Sequence, residues 1–152
     1  MLHTIQLFIK RFFDLAVCSV LLIGGLPFLL LIALMVKFTS KGPTFFIQER
    51  IGRNGHPYKI IKFRTMTGIP DKNETKWTKS EEERITSVGH FLRDYGLDEL
   101  PQLINIIRGD MSIVGPRTPL PHQVETFSSH LMKMFKMRPG VLSLAAIAGR
   151  RS

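Results

Sequence analysis

The chain has no second cysteine. With Cys18 alone no intramolecular disulfide can form, and a reduced, cytoplasmic setting is the default expectation. Histidine is present but scattered: His3, His56, His90, His122 and His130 show no ligand spacing, which argues against a histidine-built metal site. Acids are few as well. The 12 Asp and Glu face 21 Lys and Arg, giving a formal net charge of +9 and a pI near 10.1. That imbalance implies an anionic partner, whether nucleic acid, a phosphorylated small molecule or an anionic membrane surface. One Trp and two Tyr make a poor stacking platform, and no DNA- or RNA-reading motif is present, so no nucleic acid partner is expected. At 152 residues the chain is the size of one modest domain with one core.

What the sequence has in abundance is uninterrupted apolar chain. Leu15 to Val36, "LAVCSVLLIGGLPFLLLIALMV", carries no charge over 22 residues, enough to cross a hydrocarbon core of about 30 Å. It is long for the apolar part of a signal peptide, and Lys37 follows where a small-residue cleavage site would stand. Gly24-Gly25-Leu26-Pro27 interrupts it near the middle, because proline removes a backbone donor and the glycines weaken the helix, so a bend is predicted. Lys10 and Arg11 precede the run while Lys37 and Lys41 follow it, which pulls both ends equally toward the cytoplasmic side. A kinked spanning helix and a helix-break-helix that returns to the same face both satisfy these facts, and the symmetric charge favours the second. Asp14, at the edge of the run, reads as an ordinary helix-start acid or as the partner of Arg11.

After the apolar run, "TFFIQERIGRNGHPYKIIKFRTM" predicts two short strands around an Asn54-Gly55 turn. Lys41, Arg50, Arg53, Lys59, Lys62 and Arg64 stand there against the single acid Glu49, a cationic surface that anionic headgroups would attract or that solvent would simply hydrate. Residues 67 to 84 read as an exposed loop leading to a helix, with Ser80 and Glu83 spaced as a capping box.

The stretch "GLDELPQLINIIRGDMSIVGPR" then places two acids side by side in a basic protein. Asp98 could cap a helix with Glu99 favouring its dipole, Pro101 in the first turn and Gly109 as a left-handed stop. The same carboxylates near basic residues could instead serve as a nucleophile or metal ligands. Gly115-Pro116-Arg117 adds a predicted tight turn and a guanidinium suited to phosphate.

Together, "KRFFDLAVCSVLLIGGLPFLLLIALMVKFTSKGPTFFIQERIGRNGHPYKIIKFRTM" and "RITSVGHFLRDYGLDELPQLINIIRGDMSIVGPR" resemble the bacterial sugar transferase family, the monotopic phosphoglycosyl transferases, in order from Lys10 to about Gly140. The resemblance implies an α+β protein. Residues 1–40 would form a re-entrant membrane anchor broken at Pro27, and 41–152 a small, mainly helical cytoplasmic catalytic domain with a short β-hairpin. It further implies transfer of a sugar-1-phosphate from a UDP-sugar to undecaprenyl phosphate or a similar polyprenyl phosphate, with Mg²⁺, at the cytoplasmic leaflet of a bacterial inner membrane. Carried onto this sequence, Asp98 would be the nucleophile that forms an aspartyl phosphosugar, and Glu99 would help to bind Mg²⁺ or handle protons. Arg117 and Arg150 match basic positions near phosphate, with Lys62, Arg64 and Arg93 as further phosphate-binding candidates.

The pattern departs from the family at three places. Leu26 stands where relatives commonly carry serine before the proline. After Arg138-Pro139-Gly140 the chain reads "VLSLAAIAGRR", in which Leu142, Ala146 and Arg151 replace polar residues of the family pattern. The catalytic domain is expected to be truncated after Ser152. These departures leave a second reading, a catalytically inactive relative acting as a membrane-associated interaction protein.

Overall fold

The computed structural model of the chain describes residues 2–67, 80–124, 127 and 131–143. Two helices open it, α1 (Leu2–Gly24) and α2 (Leu26–Thr39). Among the described residues no single helix is long and apolar enough to cross a membrane, but this pair passes the test together and is bent by 65°. The bend falls where the sequence breaks its own apolar run. Pro27 occupies the first turn of α2, where its missing N–H costs nothing, and no side chain caps that turn because Gly25 holds the capping position. Gly25 links the helices, its N–H reaching Leu21 O at 2.9 Å and its carbonyl accepting from Leu29 N at 2.9 Å. A Cβ there would stand 2.5 Å from the Leu21 oxygen, so close approach requires glycine.

The predicted hairpin is present. β1 (Phe45–Ile51) and β2 (Pro57–Phe63) pair antiparallel, with Phe45 opposite Phe63 and Ile51 opposite Pro57. Asn54 at φ 58 and Gly55 at φ 77 take the left-handed values that turn the chain.

A second sheet was not foreseen. β3 (Ser112–Val114) and β4 (Gly140–Leu142) pair in parallel. This corrects the tight turn expected at Gly115-Pro116-Arg117, for the segment leaves β3 without turning. Gly115 and Gly140 pass so close that a Cβ on either would collide with the backbone of the other segment, and Gly115 N–H donates to Leu142 O at 3.1 Å. Three-residue strands are too short for alternation to reveal them.

The helices that follow are short. α3 (Glu81–Arg84) carries the expected Ser80–Glu83 capping box. α4 (Ser87–Asp94) begins under Thr86, whose Oγ1 accepts from Gly89 N–H at 2.9 Å. A 3₁₀ turn over Leu97–Glu99 leads to α5 (Gln102–Arg108), which ends at Gly109 with φ 97, the left-handed stop read from sequence. α6 (Pro121–Val124) and a 3₁₀ segment over Leu131–Lys136 complete the described elements.

Two small cores flank β2. Cys18 of α1, Ile60 of β2, Ile106 of α5 and Met111 form one. Ile32 and Val36 of α2, Phe63 of β2 and Leu92 of α4 form the other, with Leu97 and Leu100 packed against it. Ile60 and Phe63 are three residues apart, so a pleated strand sends them to opposite faces. Each helix of the bent pair is thereby seated against a different face of one strand.

A polar contact fastens α1 further. Asp14 is buried and receives Lys10 Nζ at 3.2 Å, Ser112 Oγ at 2.6 Å and the Ile113 N–H at 3.4 Å. Lys10 Nζ also reaches Ser112 Oγ. Asp14 therefore neither starts a helix nor pairs with Arg11, as either sequence reading would have it; Arg11 donates instead to Ile107 O at 3.3 Å. Spacings of three and four residues both share a helix face, so Arg11 and Lys10 start level; the Ile107 carbonyl takes Arg11, while Ser112 holds Lys10 at Asp14.

Candidate active site

Asp98 and Glu99 sit in the 3₁₀ turn, entered through Gly96 at φ 67. Leu97 and Leu100 on either side are the residues that pack into the α2 core, so the acids are held where the apolar helix meets the folded domain. Asp98 does not cap α5. That helix starts at Gln102 without a side-chain cap, because Leu100, Leu103 and Ile104 N–H groups already find backbone carbonyls three residues back. With its local capping role removed, the Asp98 carboxylate is left for other partners.

Lys62 of β2 binds Glu99 Oε1 at 2.5 Å, and both side chains retain solvent access. The Asp98 carboxyl is pushed above the usual carboxylate range, first by burial and then by the neighbouring Glu99 charge. Lys62, Arg93 and its own backbone N–H pull the other way without cancelling the effect. Arg93 of α4 is steadied by Thr65 Oγ1 at 3.0 Å from its Nε. Two acids and two cations read from the sequence therefore meet here, contributed by β2, α4 and the 3₁₀ turn.

Asn105 of α5 ties the helix that follows the 3₁₀ turn to β2, and sequence reading missed it. Fully buried, it donates from Nδ2 to Lys59 O at 2.7 Å and to Asp110 Oδ2 at 3.2 Å, while its Oδ1 accepts from Ile61 N–H at 3.1 Å. Its bonds grip β2 immediately before Lys62. The available signal was an amide in the apolar stretch "LINII".

The other candidates lie apart. Arg64 ties down the end of α2, donating to Ser40 O at 2.7 Å, Ser40 Oγ at 2.7 Å and Lys41 O at 3.0 Å. Arg117 is exposed beyond β3, beside Arg50, and lines a shallow cleft with Ile51, Pro119 and Phe135. Arg150 lies outside the described residues, as do Ala146 and Arg151, whereas Leu142 closes β4. Pro27 is at the helix break, as read.

Among the described residues no three His, Cys, Asp or Glu side chains are grouped as metal ligands. Two adjacent carboxylates do suit Mg²⁺, which characteristically takes one or two of them and completes its shell with water and substrate phosphate oxygens. The donor set fits such an ion, with Glu99 currently engaged by Lys62.

A sequence profile described as bacterial sugar transferase matches residues 5–152. The UDP-glucose:undecaprenyl-phosphate glucose-1-phosphate transferase of Klebsiella pneumoniae is 44% identical over an alignment covering 99% of this chain and 33% of that protein. The enzyme of the same name from Escherichia coli K12 is 40% identical, over 94% of this chain and 32% of its own length. The exopolysaccharide production protein ExoY of Sinorhizobium fredii is 40% identical, over 93% of this chain and 69% of its own. The chain thus spans about a third of the two transferases and about two thirds of ExoY.

Proposed function

The chain belongs to the bacterial sugar transferase family, and from that premise we propose that it transfers a sugar-1-phosphate from a UDP-sugar to undecaprenyl phosphate through a covalent intermediate on Asp98. The observation that carries the reading is the placement of Asp98 and Glu99 on a turn bolted by Leu97 and Leu100 to the apolar helix α2, with Lys62 bound to Glu99 and Arg93 acting on the Asp98 charge. A soluble donor and a lipid-borne acceptor can meet only at such a boundary, because each buried CH₂ of the lipid holds it in the bilayer by about 0.8 kcal/mol.

In the first displacement a carboxylate oxygen of Asp98 attacks the β-phosphorus of the donor, the bond to the bridging oxygen breaks, and UMP leaves with that oxygen and its electron pair. In the second, an oxygen of the lipid phosphate attacks the same phosphorus and the bond to Asp98 breaks. The carboxylate is regenerated and a polyprenyl diphosphosugar is released. Lys62 and Arg93 favour the ionised form of Asp98 against burial and would draw phosphoryl oxygens to it. Mg²⁺ held by Asp98 and Glu99 would supply charge neutralisation of the phosphoryl oxygens and of the leaving group.

The same proposal makes α1 and α2 a re-entrant anchor at the cytoplasmic leaflet. Both limbs of the bent pair dock on one folded domain, α1 through Asp14 and Cys18 and α2 through Ile32 and Val36. Near the bend the large side chains are bare: Val20 is 71% and Ile23 76% exposed, and Leu26, Phe28, Leu30 and Leu31 join them. Submerging that tip gains roughly 10 kcal/mol. Cysteines placed singly before Lys10 and after Lys41 should both be labelled from the cytoplasmic side; labelling from opposite sides would overturn the topology.

The activity test uses the full chain in detergent with Mg²⁺, UDP-glucose and undecaprenyl phosphate. UMP release and a phosphosugar adduct in the intact mass are the expected results. Folded protein that releases no UMP with a panel of UDP-sugars would leave the non-catalytic reading.

A further inference from the structure

The helix α4 and its C-cap residue carry two aromatic rings that stay largely outside the core. On a helix, Val88, Phe91, Leu92 and Tyr95 share one stripe. Leu92 and Val88 descend from it into the α2 core, which is the ordinary use of such a stripe. Phe91 and Tyr95 do not follow them. They stand 50% and 71% exposed with ring centroids 4.9 Å apart, a paired apolar surface in contact with water.

Position gives the pair its meaning. Tyr95 is three residues from Asp98, which bounds their Cα separation at about 11 Å, and the left-handed Gly96 shortens the path by turning the chain. On the other flank of the same helix Arg93 acts on the Asp98 charge. One short helix therefore presents an aromatic surface on one flank and a cation on the other, packs against α2 through Val88 and Leu92, and ends just before the acids.

Resting on the function proposed above, we infer that Phe91 and Tyr95 receive the first isoprene units of the polyprenyl phosphate acceptor, laying its chain from α2 across the two rings so that its phosphate arrives at Asp98. An isoprenoid phosphate matches this surface in both parts: the chain is apolar and branched, and the head is a dianion. A uracil ring would also stack on aromatics, but the pair adjoins the core that seats the apolar helix α2, which is the side from which a lipid comes.

The experiment begins with binding, so that it does not depend on turnover. In detergent micelles, undecaprenyl phosphate should raise the melting temperature of the wild-type full chain and fail to raise that of the Phe91→Ala/Tyr95→Ala double variant. In the transfer assay the double variant should show an acceptor KM raised about tenfold, with the donor KM within about twofold of wild type. Phe91→Tyr and Tyr95→Phe keep the rings and should keep the wild-type acceptor KM, which separates ring contact from a general loss of structure. Equal melting shifts in wild type and double variant, or an unchanged acceptor KM, would overturn the inference; a rise in donor KM alone would give the rings to the nucleobase. Absence of UMP release from wild type would refute the proposed function and still leave the binding comparison to decide this one.

Discussion

Two acid centres, each with a lysine partner, stand in one small protein and are built in opposite ways. Asp14 is buried and receives a lysine, a hydroxyl and a backbone N–H directly on its carboxylate. Asp98 is half-buried, and the nearest lysine is bound to its neighbour Glu99 instead. Its carboxyl is accordingly pushed upward, with burial the leading cause. A carboxylate held on both oxygens by three direct donors works as a fastener. A desolvated, partly compensated one remains available to attack a phosphorus atom or ligate a metal. The difference between structural and reactive acids here is the number of donors, not the residue type.

The largest effect should come from erasing the reactive centre. Asp98→Asn is expected to lower transfer by at least about a thousandfold and to abolish the mass adduct. Its melting temperature at neutral pH should hold or rise, because a charge that burial disfavours has gone. A variant that keeps wild-type turnover would remove the nucleophile assignment.

Lys62→Met comes next. Removing the cation that most favours the ionised form leaves burial and Glu99 less opposed, so the Asp98 carboxyl should titrate higher still. The acidic limb of the rate profile should move to higher pH, and transfer near neutrality should fall by about a hundredfold. Part of that loss should return as the buffer is made more alkaline. In the wild type the two pH signatures run in opposite directions. As pH rises from the ordinary carboxylate value through the elevated one, the stability contributed by Asp98 declines while its catalytically competent fraction grows. Parallel pH dependences of melting and turnover would contradict the contrast.

Asp14→Ala tests the fastener. It strands Lys10 and Ser112 and should cost about 1–3 kcal/mol of stability by thermal or chemical melting. Transfer per folded molecule should change less than about threefold. A loss of transfer out of proportion to stability would mean that the two centres are one. The smallest effect should be Thr86→Ala, which removes the cap of α4 and costs about 1 kcal/mol, with a loosening of Arg93 seen as a small rise in donor KM.

Much of this was written in local sequence. The helix break follows from Gly25 and Pro27, the hairpin from Asn54-Gly55, and the end of α5 from Gly109, because each depends on the backbone freedom of one or two residues. The adjacent acids were visible for the same reason. Local sequence misplaced Gly115, whose smallness serves a strand 25 residues away, and Asp14, whose decisive partner is Ser112. It also could not sort the cations: Lys62 binds Glu99 and Arg93 acts on the Asp98 charge, whereas Arg64 secures α2 and Arg117 acts on Arg50.

By itself, then, the sequence determined an apolar hairpin-like segment, a basic domain and a pair of adjoining carboxylates, since periodicity and backbone preference act over a few residues. Which of its acids is held by direct donors, and which charges surround the other, only the tertiary structure decided. Burial and Coulomb interaction depend on separation in space, and a strand and two helices far apart along the chain had to pack before those separations existed.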